Sequence, residues 1–193
     1  MGLGMNAIAQ KLAPSATDMI RRDHTKVMAA FHRYDLGAKP HAKRALVNTV
    51  CLAVEVHARI EEEIFYPALQ DIDPAMVEKS FPEHAELHGL IAELRAMDPA
   101  AASFDERFMA LMRNVMHHVA DEETVLLPEA ERVLGSRVNE LGKRMLKRRM
   151  QLMMPHAGEM ARDSAAAMPK STMLLGVGAV LASAFLLTRG ARR

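Results

Sequence analysis

Apolar residues recur every three to four positions along four long stretches of this chain, the spacing of helices that bury one face. No stretch alternates apolar and polar residues with the period of two that a half-buried strand needs, so no sheet is predicted. The first helix starts at Ser15, with Asp18 three residues on, and stops before Gly37 and Pro40; Met19, Ile20, Val27, Phe31 and Tyr34 mark its buried side. A second helix is predicted from about His41 to Leu69, with Val47, Val50, Leu52, Val54 and Ile64 as its apolar content and Pro67 loosening its last turn. Asp71-Ile72-Asp73-Pro74 reads as a turn. The third helix follows Ser80, where Glu83 completes a capping-box pattern, and runs to about Met97; the fourth begins at Ser103, with Glu106 as box partner, and runs toward Leu134-Gly135. The pattern predicts an all-α protein, an up-down four-helix bundle over residues 17–135.

Within those helices, polar residues interrupt the apolar side, and they do so twice in the same way. His57-Ala-Arg-Ile-Glu61-Glu62 runs on to Pro67, and His118-Val-Ala-Asp-Glu122-Glu123 runs on to Pro128 with the same spacing. An acid–His pair precedes each, Asp23-His24 and Glu83-His84. Heptad patterning alone would align Leu with Leu, whereas this half-repeat aligns His24 with His84, His57 with His118 and Glu61 with Glu122. Unpaired polar groups at core positions cost about 1–3 kcal/mol each, so a common ligand is the economical explanation. The repeat breaks at one place, where Met28 stands opposite His88. A His and a carboxylate four apart share one helix face, which favours His118 over its neighbour His117 as the partner of Glu122.

The candidate ligands are therefore His24, His57, Glu61, His84, His88, His118 and Glu122. Imidazole and carboxylate without cysteine is borderline-hard ligation, suited to iron, manganese, cobalt or zinc. Glu61 and Glu122 each have two oxygens and can bridge two cations, with imidazoles filling terminal positions. With Met28 in place of a second His88, the cage is expected to be asymmetric, leaving a vacancy on the ion served by His24 and His57. Glu62, Glu63 and Glu123 are expected to turn away and be solvated or paired with residues such as Arg59. Phe31, Phe65, Phe108 and Met109, Met112 and Met116 are expected to pack the core and keep the pocket dry.

The pattern over residues 17–135 resembles the hemerythrin HHE domain: lone His on the first helix, His-x-x-x-Glu on the second, His-x-x-x-His on the third, His with a carboxylate on the fourth. The resemblance implies an oxo- or hydroxo-bridged pair of non-heme irons that binds dioxygen at one iron. By that analogy His84, His88 and His118 hold the filled iron, His24 and His57 the open one, and Glu61 and Glu122 bridge. It departs in one respect, since oxygen-carrying members place Asp five residues after the fourth-helix His, and here Glu122 follows His118 by four. The expected function is binding or sensing of dioxygen or another small diatomic or peroxide. The alternative is a di-iron redox enzyme acting on peroxide or nitric oxide, or a protein of iron supply and cluster repair.

Composition adds little to the bundle and more to the tail. The 193 residues are 50% hydrophobic with a formal net charge of +1, so nothing global points to nucleic acid. Cys51 is the only cysteine, which rules out an internal disulfide or a thiolate cluster. No charged, apolar secretory leader is visible at the N-terminus. After Gly135, residues 136–170 read as a basic helix (Lys143, Arg144, Lys147, Arg148, Arg149) and a linker. Residues 171–188 carry no charge and would span about 27 Å as a helix, a candidate C-terminal membrane anchor flanked by Lys170 and Arg189. The expectation is an inner-membrane protein with a cytoplasmic bundle, with a soluble cytoplasmic protein as the alternative; a homo-oligomer is compatible with either.

Overall fold

The computed structural model describes residues 13–158 and 162–163. Among the described residues every regular element is helical. Helix α1 spans Ala16–Phe31, α2 spans Pro40–Ile60, α3 spans Tyr66–Gln70, α4 spans Ser80–Ala96, α5 spans Ala102–Asp121, α6 spans Leu127–Leu134 and α7 spans Arg137–Met153. A π-helical turn, Glu61–Phe65, fuses α2 to α3, and a second, Glu122–Leu126, fuses α5 to α6. The bundle therefore has four rods, of which the second and fourth are continuous through a π turn, and α7 packs across α1 and α2 as a fifth.

Both π turns have the same origin. Pro67 and Pro128 have no N–H to give to the carbonyl four residues back, and their rings clash with it. The ladder therefore widens ahead of each proline: the Tyr66 N–H reaches the Glu61 carbonyl, and the Leu127 N–H reaches that of Glu122. The expected loosening at Pro67 is thus a defined extra residue in the turn, repeated in both halves.

Helix α1 starts as expected, the Ser15 hydroxyl accepting from the Asp18 N–H at 3.1 Å. The two capping boxes fail. Ser80 lies inside α4 after Lys79, α5 starts from Ala101, and neither start has a side-chain cap. Two apolar clusters fill the bundle, one around Ile20, Ile60, Phe65, Leu69, Leu127 and Met145, the other around Phe31, Val50, Leu94, Phe104, Phe108 and Leu111. His24, His57, His84 and His118 fall along their helices between residues of the two clusters, so the polar site has packed apolar layers on both sides. Phe31, Phe65 and Phe108 are buried as expected, whereas Met116 is 48% exposed, its position rotating off the core face.

The basic stretch of α7 is largely tied to the bundle. Arg148 donates to both oxygens of Glu63 at 2.6 and 3.0 Å, and Arg149 grips Asp23. Gly142 allows the close approach of α7 to α1: a Cβ there would lie 2.2 Å from the Pro14 carbonyl oxygen. The candidate anchor, residues 171–188, lies outside the described residues. Among the described residues no helix is long and apolar enough to cross a membrane.

Candidate metal centre

Six of the seven sequence-predicted donors meet at the middle of the bundle. His24, His57, Glu61, His84, His118 and Glu122 are each 7% exposed or less. His24 comes from α1, His57 from α2, His84 from α4 and His118 from α5, while the two glutamates open the two π turns. They form two overlapping groups, His24, His57, Glu61 and Glu122, and then Glu61, His84 and His118, with ligand atoms within 4.8 Å of one another in each. Glu61 Oε2 lies 3.2 Å from His57 Nε2 and 3.5 Å from His84 Nε2. Glu122 Oε2 lies 3.2 Å from His24 Nε2 and 3.5 Å from His118 Nε2. Each carboxylate thus touches one imidazole of each pair, the placement that bridging requires.

His88 does not join them. Its side chain is 43% exposed and its Nε2 lies 3.7 Å from Glu62 Oε1. The buried face of α4 runs through His84, Leu87, Ile91 and Leu94, and a position four residues after His84 rotates past it toward solvent. The expected asymmetry of His88 against Met28 therefore disappears, and each half offers two imidazoles. His117 points out, 73% exposed, and His118 in.

The asymmetry comes instead from a residue that the sequence reading passed over. Tyr66 is fully buried, and its hydroxyl lies 2.9 Å from Glu122 Oε1, 3.3 Å from Glu61 Oε2 and 3.2 Å from His84 Nε2. Leu127 holds the equivalent place in the other half. In an unbroken α-helix a residue five after Glu61 would point some 140° away from it; the wider π turn swings Tyr66 back onto the same face. The signal was present as one proline at the same offset in both halves.

A ring of carboxylates surrounds the imidazoles. His24 Nδ1 faces Glu123 at 2.8 Å, His84 Nδ1 faces Glu62 at 3.0 Å, His118 Nδ1 faces Glu83 at 2.9 Å, and His57 Nδ1 lies 3.7 Å from Asp23. Glu62 and Glu123 stay partly solvated, 22% and 40% exposed, but each also holds an imidazole of a neighbouring helix, which was not expected. Only Glu63 behaves as expected, pairing with Arg59 and Arg148. The half-repeat carried this signal too, in acids at the same offsets in both halves. Such partners fix the tautomer so that Nε2 presents its lone pair inward.

Burial, with the neighbouring His24, pushes His57 down to about 3; burial, with His118, does the same to His84. Both imidazoles are thus neutral at ordinary pH, the form that binds metal. Burial and the charge of Glu122 push Glu61 well up. His24 Nε2, His57 Nε2, Glu61 Oε1 and Glu122 Oε2 are buried without a hydrogen bond. Buried polar atoms without partners are destabilising alone and are what a cation would satisfy, so the residues fit a metal. Beside His24, His57 and His118 lies a void of about 10 Å³ walled by Val27, Val54, Leu87, Val115 and Val119. It is dry-walled as expected, although valine and leucine make the wall rather than Phe and Met.

The family model of the hemerythrin HHE cation binding domain matches residues 15–130, so the chain belongs to that family. A DNA nickase of Nostoc sp. is 28% identical over 124 residues, 64% of this chain; the match spans 35% of the Nostoc protein's own length. The uncharacterized protein Rv2633c of Mycobacterium tuberculosis is 23% identical over 143 residues, covering 72% of this chain and 87% of that one. The crystal structure of an HHE domain-containing homolog of Rv2633c from Mycobacterium kansasii superposes with a TM-score of 0.65 at 17% identity, covering 80% of this chain and 97% of that one. That likeness is one of fold.

Proposed function

We propose that this chain is a non-heme di-iron protein that binds or senses dioxygen. The observation that carries the reading is the set of inward, buried and unpartnered nitrogen and oxygen atoms of His24, His57, Glu61 and Glu122, completed by His84 and His118. His24 and His57 would hold one iron, His84 and His118 the other, with Glu61 and Glu122 shared. Iron held by these residues would supply the electrons that binding of a small oxygen ligand needs. The void beside His24, His57 and His118 is walled mainly by valine and leucine and, at about 10 Å³, has room for one small molecule and no more. An optical titration of the iron-loaded chain with oxygen tests the reading: a visible band that forms with oxygen and fades on its removal is expected, and an unchanging spectrum would overturn it.

One observation favours a second reading, turnover of peroxide. The Tyr66 hydroxyl touches both glutamates and His84, so a proton can be held or handed over within the site. Moving protons between oxygens is what the conversion of two peroxides into two waters and dioxygen requires. Rapid oxygen evolution from added peroxide, lost when Tyr66 becomes Phe, would favour this reading over reversible binding.

A further inference from the structure

The four imidazoles are not held alike. Glu123, Glu62 and Glu83 each lie within 3.0 Å of the Nδ1 they face. Asp23 stands 3.7 Å from His57, and His57 Nδ1 is the one of the four that is buried with no hydrogen bond. The cause is visible on α7. Arg149 donates to Asp23 Oδ1 at 2.8 Å and also contacts Oδ2, so the guanidinium holds the acid whose Oδ2, itself without a hydrogen bond, stops 3.7 Å short of His57 Nδ1. Of the four outer acids, Asp23 is the most enclosed, its side chain 10% exposed against 22%, 28% and 40% for Glu62, Glu83 and Glu123. It is also the one that the described residues pair with arginine through hydrogen bonds.

Three features hold α7 in the place from which it does this. Gly142 lets the helix sit against the backbone of Pro14 and Ser15, Leu141 and Met145 bury in the first apolar cluster, and Arg148 is clamped on Glu63. Residues 137–153 also lie beyond the segment that matches the family model.

We infer that Arg149 is a positioning residue that draws Asp23 off His57 and makes the His24–His57 position the weaker and more adjustable of the two metal positions. An imidazole whose Nδ1–H is taken by a carboxylate is oriented and made a stronger donor; one without that bond is neither. The weakened position supplies two of the three imidazoles that line the void, His118 being the third, and it is the one without Tyr66. Helix α7 thereby sets how firmly the ligand-facing ion is held. The inference rests on the two-metal reading above.

The test uses the full chain, stripped of metal and titrated anaerobically with Co²⁺ against a competing chelator, followed by its visible absorption. The wild type is expected to fill in two steps. Arg149→Gln frees Asp23 to take the His57 proton, and the weaker step tightens by roughly 10-fold or more while the stronger stays put. Arg149→Lys keeps the charge but gives up the two-pronged grip, and falls between. Glu123→Ala, which removes the acceptor from His24 on the same ion, shifts the same step in the opposite direction. Both steps unmoved in Arg149→Gln, or both loosened together, would mean that α7 is only a structural prop. Should Arg149→Gln not fold, Arg149→Lys decides alone: a smaller tightening supports the inference, and none overturns it. A wild type that takes up no Co²⁺ overturns the two-metal reading itself, whereas two ions bound with Arg149→Gln unchanged overturns this inference only.

Discussion

Replacing Glu61 by Gln should stabilise the metal-free protein and destabilise the metal-loaded one. Glu61 is fully buried beside Glu122, and both burial and that neighbour's charge push its pKa well above the ordinary value of 4.5. An acid whose folded pKa is raised binds more protons in the native state than in the unfolded one, so stability falls as pH rises from about 4.5 toward the folded value. Each unit of pH in that window costs about 1.4 kcal/mol, which sets a ceiling of about 3 kcal/mol at pH 7. Gln has nearly the same shape and no charge to lose, and its amide can donate to Glu122. The metal-free variant should therefore gain roughly 1–3 kcal/mol at pH 7, about 3–10 °C in Tm, and nothing below pH 4. With metal the sign reverses, because Gln lacks the charge and the bridging oxygens that make a tight site, and the linked stabilisation by bound metal falls away. Urea denaturation of both proteins at pH 7 and pH 4, each with chelator and with excess metal, measures all of this. A variant destabilised equally with and without metal, or one indifferent to pH, would refute the argument that Glu61 is kept for a cation.

Tyr66→Phe should fold and keep both metals, while peroxide turnover drops at least about 100-fold; steady-state oxygen evolution against metal content separates the two. Gly142→Ala, which on helix propensity alone would gain about 1 kcal/mol, should instead cost roughly 1–3 kcal/mol because its Cβ would meet the Pro14 and Ser15 backbone, a loss seen as a lower urea midpoint. His88→Ala and His117→Ala should leave metal content unchanged, whereas His118→Ala should lose at least one ion; elemental analysis of the three variants decides whether the third-helix and fourth-helix assignments are right.

Helix positions were legible because the apolar period is long and regular, and the half-repeat marked His24, His57, Glu61, His84, His118 and Glu122 before any coordinates. What escaped was everything that depends on the π turns and on contacts between rods. Straight α-helical geometry places His88 near the face of His84 without saying that the core face runs through Leu87 and Ile91 and leaves His88 on its solvent edge. The same geometry excluded Tyr66, which only the widened turn before Pro67 brings in. Glu62 and Glu123 were read as solvated because charged residues mostly are, although their exact repetition beside the bridging glutamates pointed elsewhere. Arg149 read as part of a basic run; that it reaches Asp23 follows from the packing of α7 against Pro14 and Ser15, which no local pattern encodes.

The account stands most directly on a crystal of the iron-loaded chain, with an anomalous difference map recorded at the iron edge. Two peaks are expected between the rods, one within bonding reach of His24 and His57, the other of His84 and His118, with Glu61 and Glu122 touching both. A single peak, or iron bound outside at Glu83, His117 and Asp121, would contradict it.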